Sequence, residues 1–451
     1  MLSVGRTLAY ALGAVGAGSM IFGERGKKVW TPRPETPRPD WKVDPFEPVR
    51  SKPTCEKIEE WVMDKLPASE RPIVILTGYN GRLGPHVVKR LEEEGYSVIG
   101  LGRGCKGTDI VSSTLALKKI DLTQQSEIKE LLDFIEETYH TKEIASVIHL
   151  AGIYGFEKTP DPDVYQEVNV KTTENILHVL KKKGFRVGQF ILGSSQAVYA
   201  PAPGKGVLTE EGALRKDYVY PASKVEAELI TSRASFPTVV VRIPSVYEDH
   251  CNNEGLAKTI TLVAEKSYLA RFYPGSQHEN GWSYMHMDDF TRAIVCIVKE
   301  RERLAIENPH RVFHIGEEGC TTQPDLQNAI ARALGRGGFS SFEIPLLMGV
   351  LGAEFLDIMS GDKAPVHAWM IRALGRVAID TSAFRKEFPD FRREHSVLKS
   401  VRSMVESYRK DPVEFAKRHK MSDEEIQLIR LLAPLNYSRI APERFALCSP
   451  E

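Results

Sequence analysis

The sequence predicts an α/β fold built on a doubly wound parallel sheet, joined by a smaller, partly helical region and a helical carboxy-terminal extension. Three observations predict it. Pro72-Ile73-Val74-Ile75-Leu76 is an unbroken apolar run, as expected of a strand covered by helices on both faces. The run enters a glycine-rich turn, Thr77-Gly78-Tyr79-Asn80-Gly81-Arg82-Leu83-Gly84, which leads into a helix and a second apolar strand. Strand-like and helix-like stretches then alternate as far as Arg242, the signature of repeated β-α units.

Taken in order, the helix at 85–94 carries Val87, Val88 and Leu91 on one face, and the strand at 97–101 follows Gly95. Residues 118–122 read as a strand, 124–139 as a helix, 145–150 as a strand and 163–183 as a long helix. A strand at 188–193, a helix at 217–233 and a strand at 238–242 complete the alternation. In such a sheet a ligand lies across the carboxyl ends of the strands. Further on, 345–359 is a mostly apolar stretch, and 364–373 adds Trp369 and Met370. Residues 396–410 and 422–432 read as helices, the second opening on Ser422-Asp423-Glu424-Glu425, a capping-box pattern.

Charge narrows the function. The 451 residues hold 60 basic and 60 acidic side chains, a formal net charge of zero. A nucleic-acid binder needs a basic surplus to displace phosphate counterions, so none is expected as partner. With 42% hydrophobic residues the chain can fill a core. Cys55, Cys105, Cys251, Cys296, Cys320 and Cys448 are scattered without a C-x-x-C pair, which points to free thiols rather than a disulfide scaffold or zinc module. His310 and His314 flank a strand-like stretch, where side chains four apart are too distant to share a metal. No metal site is expected.

The amino terminus stands apart. Residues 7–23 carry no charge, with Arg6 before them and Arg25, Lys27 and Lys28 after. A membrane anchor, an organellar presequence, a cleaved secretory signal and a tail folded onto the body all remain open. Location is accordingly membrane-associated or organellar, otherwise cytoplasmic. Seven prolines between 32 and 53 forbid helix and central strand, leaving an extended spacer. The divisions expected are an apolar segment at 1–29, a proline-rich linker at 30–54, a ligand-binding domain at 55–393, with a lead-in helix at 56–65, and the extension at 394–451.

The glycine turn suits a dinucleotide, because glycine lets the backbone approach a pyrophosphate seated on the N–H groups of the following helix. Further segments follow in fixed order: His149-Leu150-Ala151-Gly152, then Phe190-Ile191-Leu192-Gly193-Ser194-Ser195, then Tyr220-Pro221-Ala222-Ser223-Lys224, then His286-Met287-Asp288-Asp289. Together they resemble the extended short-chain dehydrogenase/reductase superfamily, in its NAD-dependent epimerase/dehydratase group, from about 73 to 393. The turn is similar to T-G-x-x-G-x-x-G, and Tyr220 and Lys224 to Y-x-x-x-K, placed 25 residues after Ser195.

The resemblance implies a Rossmann-type sheet, a nicotinamide cofactor and a catalytic Ser195, Tyr220 and Lys224. It places the cofactor against Gly78, Asn80, Gly81, Arg82, Leu83, Gly84, Arg103, Asp121, Leu122, Leu150, Ala151, Gly152, Tyr220 and Lys224. Tyr220 and Lys224 lie on one helix face, and an ammonium near a phenol is expected to bring its pKa down from about 10. Tyr220 then exchanges a proton with a substrate oxygen held by Ser195. At the end of the second strand Gly102 stands where the family often has an aspartate for the ribose. Arg103, with Arg82, is the group expected to meet a 2′-phosphate, so NADP is preferred to NAD.

The pattern departs on the substrate side. Nucleotide-sugar enzymes of the family commonly show L-R-x-x-N-x-Y-G-P, where this chain has Ser245 for the asparagine and Glu248-Asp249 for Gly-Pro. Trp282 stands where a diphosphate-contacting arginine is common. These changes disfavour a dianionic diphosphate, unless Lys258, Arg271 or His278 compensates. Residues 376–384 resemble the terminal stretch of sterol-type and carbonyl-reducing members. The leading expectation is an NAD(P)-dependent oxidoreductase or epimerase taking a small-molecule, possibly apolar, carbonyl or alcohol. A nucleotide-sugar epimerase or dehydratase is the alternative, and a catalytically idle dinucleotide-binding scaffold or sensor is the alternative of another class. Apolar helices over the cleft, a membrane contact through the amino terminus and a homodimer complete the expected partners.

Overall fold

The structure, a computed structural model, describes residues 71–433 apart from 105–107, 111–114, 156–160, 200–205, 216–217, 276–280, 361–363, 369–370 and 372–376. The amino-terminal segment, the proline-rich linker, the lead-in helix, Cys55, Cys105, His278, Trp369, Met370 and Cys448 lie outside the described residues.

The central sheet contains β1 (Ile73–Thr77), β2 (Ser97–Gly102), β3 (Thr108–Ile110), β4 (Leu115–Lys119), β5 (Ser146–His149), β6 (Phe190–Ser195), β7 (Thr238–Ile243) and β8 (His310–His314). Their order is β8-β7-β6-β5-β1-β2-β4-β3. The first seven in that order are parallel, and β3 pairs antiparallel with β4 at the edge. The chain winds outward from β1 in both directions. The topological switch point therefore falls between β1 and β5, where Thr77 and His149 pair at the strands' carboxyl ends.

Side-chain alternation explains the apolar runs. Val74 and Leu76 enter one buried cluster, while Ile73 and Ile75 enter another on the opposite face. The first cluster is covered by α1 (Gly84–Glu93) through Val87, Val88 and Leu91. The second is covered by α2 (Gln125–Tyr139) and α3 (Thr172–Lys182). A strand clothed on both faces reads as continuously hydrophobic.

The predicted strand at 118–122 is displaced: β4 is Leu115–Lys119. Ile120 and Leu122 are buried just beyond it, so the apolar residues that suggested a strand instead pack the turn into α2. The predicted helix at 163–183 is helical from Pro162 to Lys182, but Gln166–Lys171 forms a π turn within it. The stretch at 376–384 yields only isolated bridges at Ile379, followed by a helix at Ser382–Glu387.

The carboxy-terminal helices pack on the body. Val397, Val401, Met404 and Val405 share a core with Leu256, Ile260, Val263 and Ile330, and Ser422 caps the last helix by accepting from Glu425 N at 3.1 Å. The described cysteines, Cys251, Cys296 and Cys320, are free thiols.

Helix α4 (Val219–Thr231) is fixed to the sheet by charge. Glu228, buried, accepts from Arg242 Nη2 of β7 at 2.8 Å, from its Nε at 3.1 Å, and from Ser194 Oγ of β6. Arg242 also meets the Tyr199 hydroxyl and the Glu210 carbonyl. Removing one partner strands the other charge in the interior, which costs about 3–5 kcal/mol. Arg242→Met is therefore expected to lose about that much stability in urea unfolding, and adding Glu228→Leu to recover most of it.

Candidate active site

The glycine turn closes directly on the switch point. Gly78 adopts φ +79°, a conformation that favours glycine. A Cβ there would stand 2.8 Å from Ala151 N, and one on Gly84 2.5 Å from the Gly78 carbonyl. Gly78 N and Tyr79 N both donate to Leu101 O, at 2.9 and 3.1 Å, which ties the turn to β2. Thr77 Oγ1 accepts from Ala151 N at 3.0 Å and contacts His149 Nδ1 at 2.8 Å. Burial, helped by the charge of Lys224, lowers the pKa of His149 to about 3, so its ring is neutral. Gly78 is thus brought against Leu150 and Ala151, with Gly81 and Gly84 packed on the Gly78 carbonyl. The start of α1 has no side-chain cap and no acidic residue in its first turn. Its N–H groups suit the pyrophosphate of a dinucleotide.

The residues expected at the adenosine end lie past the carboxyl ends of β1, β2 and β4. Asn80 lies over the end of β2, with Oδ1 1.9 Å from where a Gly102 Cβ would stand. The Asn80 side chain thus occupies the space an aspartate at 102 would enter. Arg103 is exposed just beyond. Arg82 turns away, donating to Val246 O at 3.1 Å and Asn252 O at 3.0 Å on the substrate side. Asp121 Oδ1 accepts from Thr123 N at 3.0 Å and Thr123 Oγ1 at 2.8 Å. Leu122 is buried, its carbonyl accepting from Asn175 Nδ2 at 3.1 Å.

Ser195 and Tyr220 are in contact, and Lys224 lies one helical turn along from Tyr220. Ser195 ends β6, its Oγ accepting from Ala197 N at 3.1 Å and hydrogen-bonded to the Tyr220 hydroxyl. The Tyr220 ring is buried between Tyr154 and Tyr165, whose centroids lie 6.0 and 6.3 Å away. One turn along α4, Lys224 Nζ donates to Gly193 O at 3.0 Å. Burial lowers its pKa from 10.5 to about 8, with Glu228 opposing the shift.

The expected depression of the Tyr220 pKa is absent. Burial pushes it well above 10, opposed by the Ser195 hydrogen bond, and Lys224 is not among the groups acting on it. Desolvation of the phenolate outweighs what the neighbouring groups supply.

Sequence reasoning missed Asn169. It sits in the π turn, buried, with Oδ1 accepting from Ile153 N at 2.7 Å and Nδ2 donating to Ser223 Oγ at 2.9 Å. A Cβ on Gly152 would stand 2.8 Å from Asn169 Oδ1 and 3.2 Å from Lys224 Nζ, which explains glycine at this position. The available signal was an asparagine between Val168 and Val170 on a helix face expected to be apolar.

The departures on the substrate side are all engaged internally. Ser245 Oγ accepts from Asn253 Nδ2 at 2.8 Å, Glu248 meets His86 at 2.9 Å, and Asp249 accepts from Ser403 Oγ at 3.3 Å. Trp282 packs with Tyr199 and Ile379. Among the cations offered in compensation, Lys258 pairs with Glu425 at 2.7 Å and Arg271 stacks on Phe339 at 5.5 Å.

Comparison with known proteins agrees with this geometry. The model of the NAD dependent epimerase/dehydratase family matches residues 74–316. The UDP-glucose 4-epimerase of Schizosaccharomyces pombe is 30% identical over 352 residues, covering 70% of this chain and 94% of the relative. Protein CapI of Staphylococcus aureus is 23% identical over 287 residues, 58% of this chain and 84% of its own. Among solved structures, dTDP-glucose 4,6-dehydratase from Bacillus anthracis in complex with NAD shares the fold at TM-score 0.54 and 18% identity, over 77% of this chain and 99% of that one. UDP-glucose 4-epimerase from Thermotoga maritima with UDP-glucose gives 0.53 and 18%, over 75% and 99%. By the span of the family match, and by a relative 30% identical along most of its own length, the chain belongs to the NAD dependent epimerase/dehydratase family.

Proposed function

We propose that this chain is an NAD(P)-dependent oxidoreductase or epimerase acting at an alcohol or carbonyl carbon, with Tyr220 as the acid/base. One arrangement carries the reading: the Ser195 and Tyr220 hydroxyls are hydrogen-bonded at the end of β6, with the buried Lys224 amine one turn along the same helix. Gly78, Asn80, Gly81, Leu83 and Gly84 would hold the pyrophosphate, and Leu150, Ala151 and Gly152 the chain beyond it. A bound nicotinamide supplies the hydride acceptor or donor and, when oxidised, a positive charge that the buried phenol otherwise lacks. Ser195 holds the substrate oxygen by hydrogen bond. Tyr220 gives that oxygen a proton during reduction and takes one during oxidation. Lys224 keeps positive charge beside the site below its pKa of about 8.

The substrate's chemistry has two readings. The pairing of Lys258 with Glu425 leaves less attraction for a diphosphate and favours a carbonyl or alcohol without one. The relatives named UDP-glucose 4-epimerase favour a nucleotide sugar. Calorimetric titration with UDP-glucose separates the two: micromolar binding selects the nucleotide sugar, and none selects the other.

Tyr220→Phe is expected to bind NAD(P)H as the parent does, by nicotinamide fluorescence, while turnover falls about 10²–10⁴-fold. Cofactor binding with no turnover in the parent would leave an idle dinucleotide scaffold, and turnover unchanged in the variant would remove Tyr220 as the acid/base. For the cofactor, the exposed Arg103 and the filled space at Gly102 support a preference for NADP. Arg103→Ala should weaken NADPH about tenfold or more and NADH little, the worth of a charge-assisted contact. Equal losses would remove that preference.

Lys224 also makes a stability prediction. Its folded pKa of about 8 lies below the ordinary 10.5. Below pH 8 both states hold the proton, and the burial penalty is felt in full. Between about 8 and 10.5 the unfolded chain binds more protons, so stability rises with pH. Lys224→Met should therefore stabilise the cofactor-free protein at pH 7 by on the order of 3 kcal/mol while abolishing turnover. The rise between pH 8 and 10.5 in urea unfolding should flatten in the same variant.

A further inference from the structure

The helix at Leu346–Ser360 (α5) is turned inside out for a protein surrounded by water. Its inward face carries small residues. Gly349 lies against Pro274, where a Cβ would come within 2.5 Å of the proline ring, and Ala353 packs with Ala368 and Ile371. Its outward face carries large apolar ones: Leu347 is 68% exposed, Leu351 47%, Phe355 52%, Ile358 81% and Met359 68%. Leu347, Leu351, Phe355 and Ile358 follow the spacing of a single helical stripe. Every exposed position of the helix is leucine, isoleucine, methionine, phenylalanine or glycine. The helix has two acids, Glu354 and Asp357, and neither is exposed. Asp357 is held by His367 and by Ala368 N at 3.2 Å. Phe342 and Phe272, 58% and 50% exposed, extend the patch on the paired strands Phe342–Ile344 and Phe272–Pro274 beside it. An apolar stripe this continuous marks a contact surface.

We infer that α5 is a bilayer-docking helix, lying in the membrane interface with its outward stripe among the acyl chains. Three considerations choose this occupant. A stable subunit interface takes about 20–30 residues a side with a polar rim, whereas this stripe is one helix face and two phenylalanines. At 15 residues the helix is about 22 Å long, too short to cross the roughly 30 Å hydrocarbon core but suited to lie along it. Among the described residues no helix is long and apolar enough to cross a membrane. Finally, residues 7–23 form an uncharged stretch with basic residues at both ends, a second weak membrane signal, and stable attachment takes two acting together. The inference stands apart from the proposed chemistry and would survive its failure.

Flotation of the full chain with phosphatidylcholine vesicles, with and without phosphatidylserine, tests it against the double variant Leu351→Glu/Ile358→Glu. Both positions are exposed, so the variant should keep its melting temperature and its NAD(P)H binding. Wild type should float, and the variant's vesicle partitioning should fall about tenfold or more. Equal flotation of both would assign binding to the amino-terminal stretch and overturn the inference. So would failure of the wild type to float, whether the substitutions convert a dimer to a monomer, which gives the face to a second copy, or change nothing.

Discussion

A carboxylate and a guanidinium, sealed from water, decide where the chemistry of this protein stands. Tyr220, Lys224 and Glu228 follow one another at intervals of four along α4 and so share a face. Glu228 is gripped by Arg242 of β7 and by Ser194 of β6. Ser195, the next residue of β6, meets Tyr220 at the other end of the same face. Two adjacent serines on one strand thus set the pitch and height of the helix over the sheet. With α4 pinned at both ends, Lys224 has no route to solvent, and its ammonium settles on the Gly193 carbonyl.

The electrostatics follow from that geometry. An amine so enclosed loses hydration, and its pKa falls to about 8 because the field of Glu228 restores only part of what burial removes. The phenol suffers the same loss with the opposite sign, so it stays protonated in the protein alone. His149, closed in between Thr77 and Thr172, is neutral and acts as a hydrogen-bonding brace between β5 and its neighbours. The protein therefore holds a proton donor and a weakened ammonium ready in place, at a cost in stability that a purely structural core would avoid.

Most of the sheet was legible because its strands obey a short-range rule. A strand buried on both faces is apolar along most of its length, as β1, β2 and β7 are over Ile73–Leu76, Val98–Leu101 and Val239–Val241. The glycine turn was legible for the same kind of reason, since Gly78 and Gly84 answer to contacts a Cβ would violate. The edge was less clear. Lys118 and Lys119 lie within β4, where burial is incomplete, while Ile120 and Leu122 are buried just past it, so hydrophobicity and hydrogen bonding part company there. The π turn escaped notice because one inserted residue shifts a helical period without changing composition. Asn169 and Arg242 were invisible as partners because their bonds join residues remote in sequence. The orientation of Arg82, toward the Val246 and Asn252 carbonyls, depends in the same way on the packing of a distant segment.

That orientation bears on what the cleft admits. Arg82 begins on the cofactor turn yet spends its donors on backbone carbonyls of the segment that follows β7. His86, one helical turn on, meets Glu248 of that same segment, and Arg90 meets Asp288. The helix that would carry a pyrophosphate at its start is therefore laced along its side to the substrate region by charge. Glu248, in the place of a family glycine, lies 2.9 Å from His86. Lys258, one of the cations offered to answer a diphosphate, is paired with Glu425 of the carboxy-terminal helix. Arg82, Arg90 and Lys258 are thus all engaged within the protein, on the carbonyls of Val246 and Asn252 and on the carboxylates of Asp288 and Glu425.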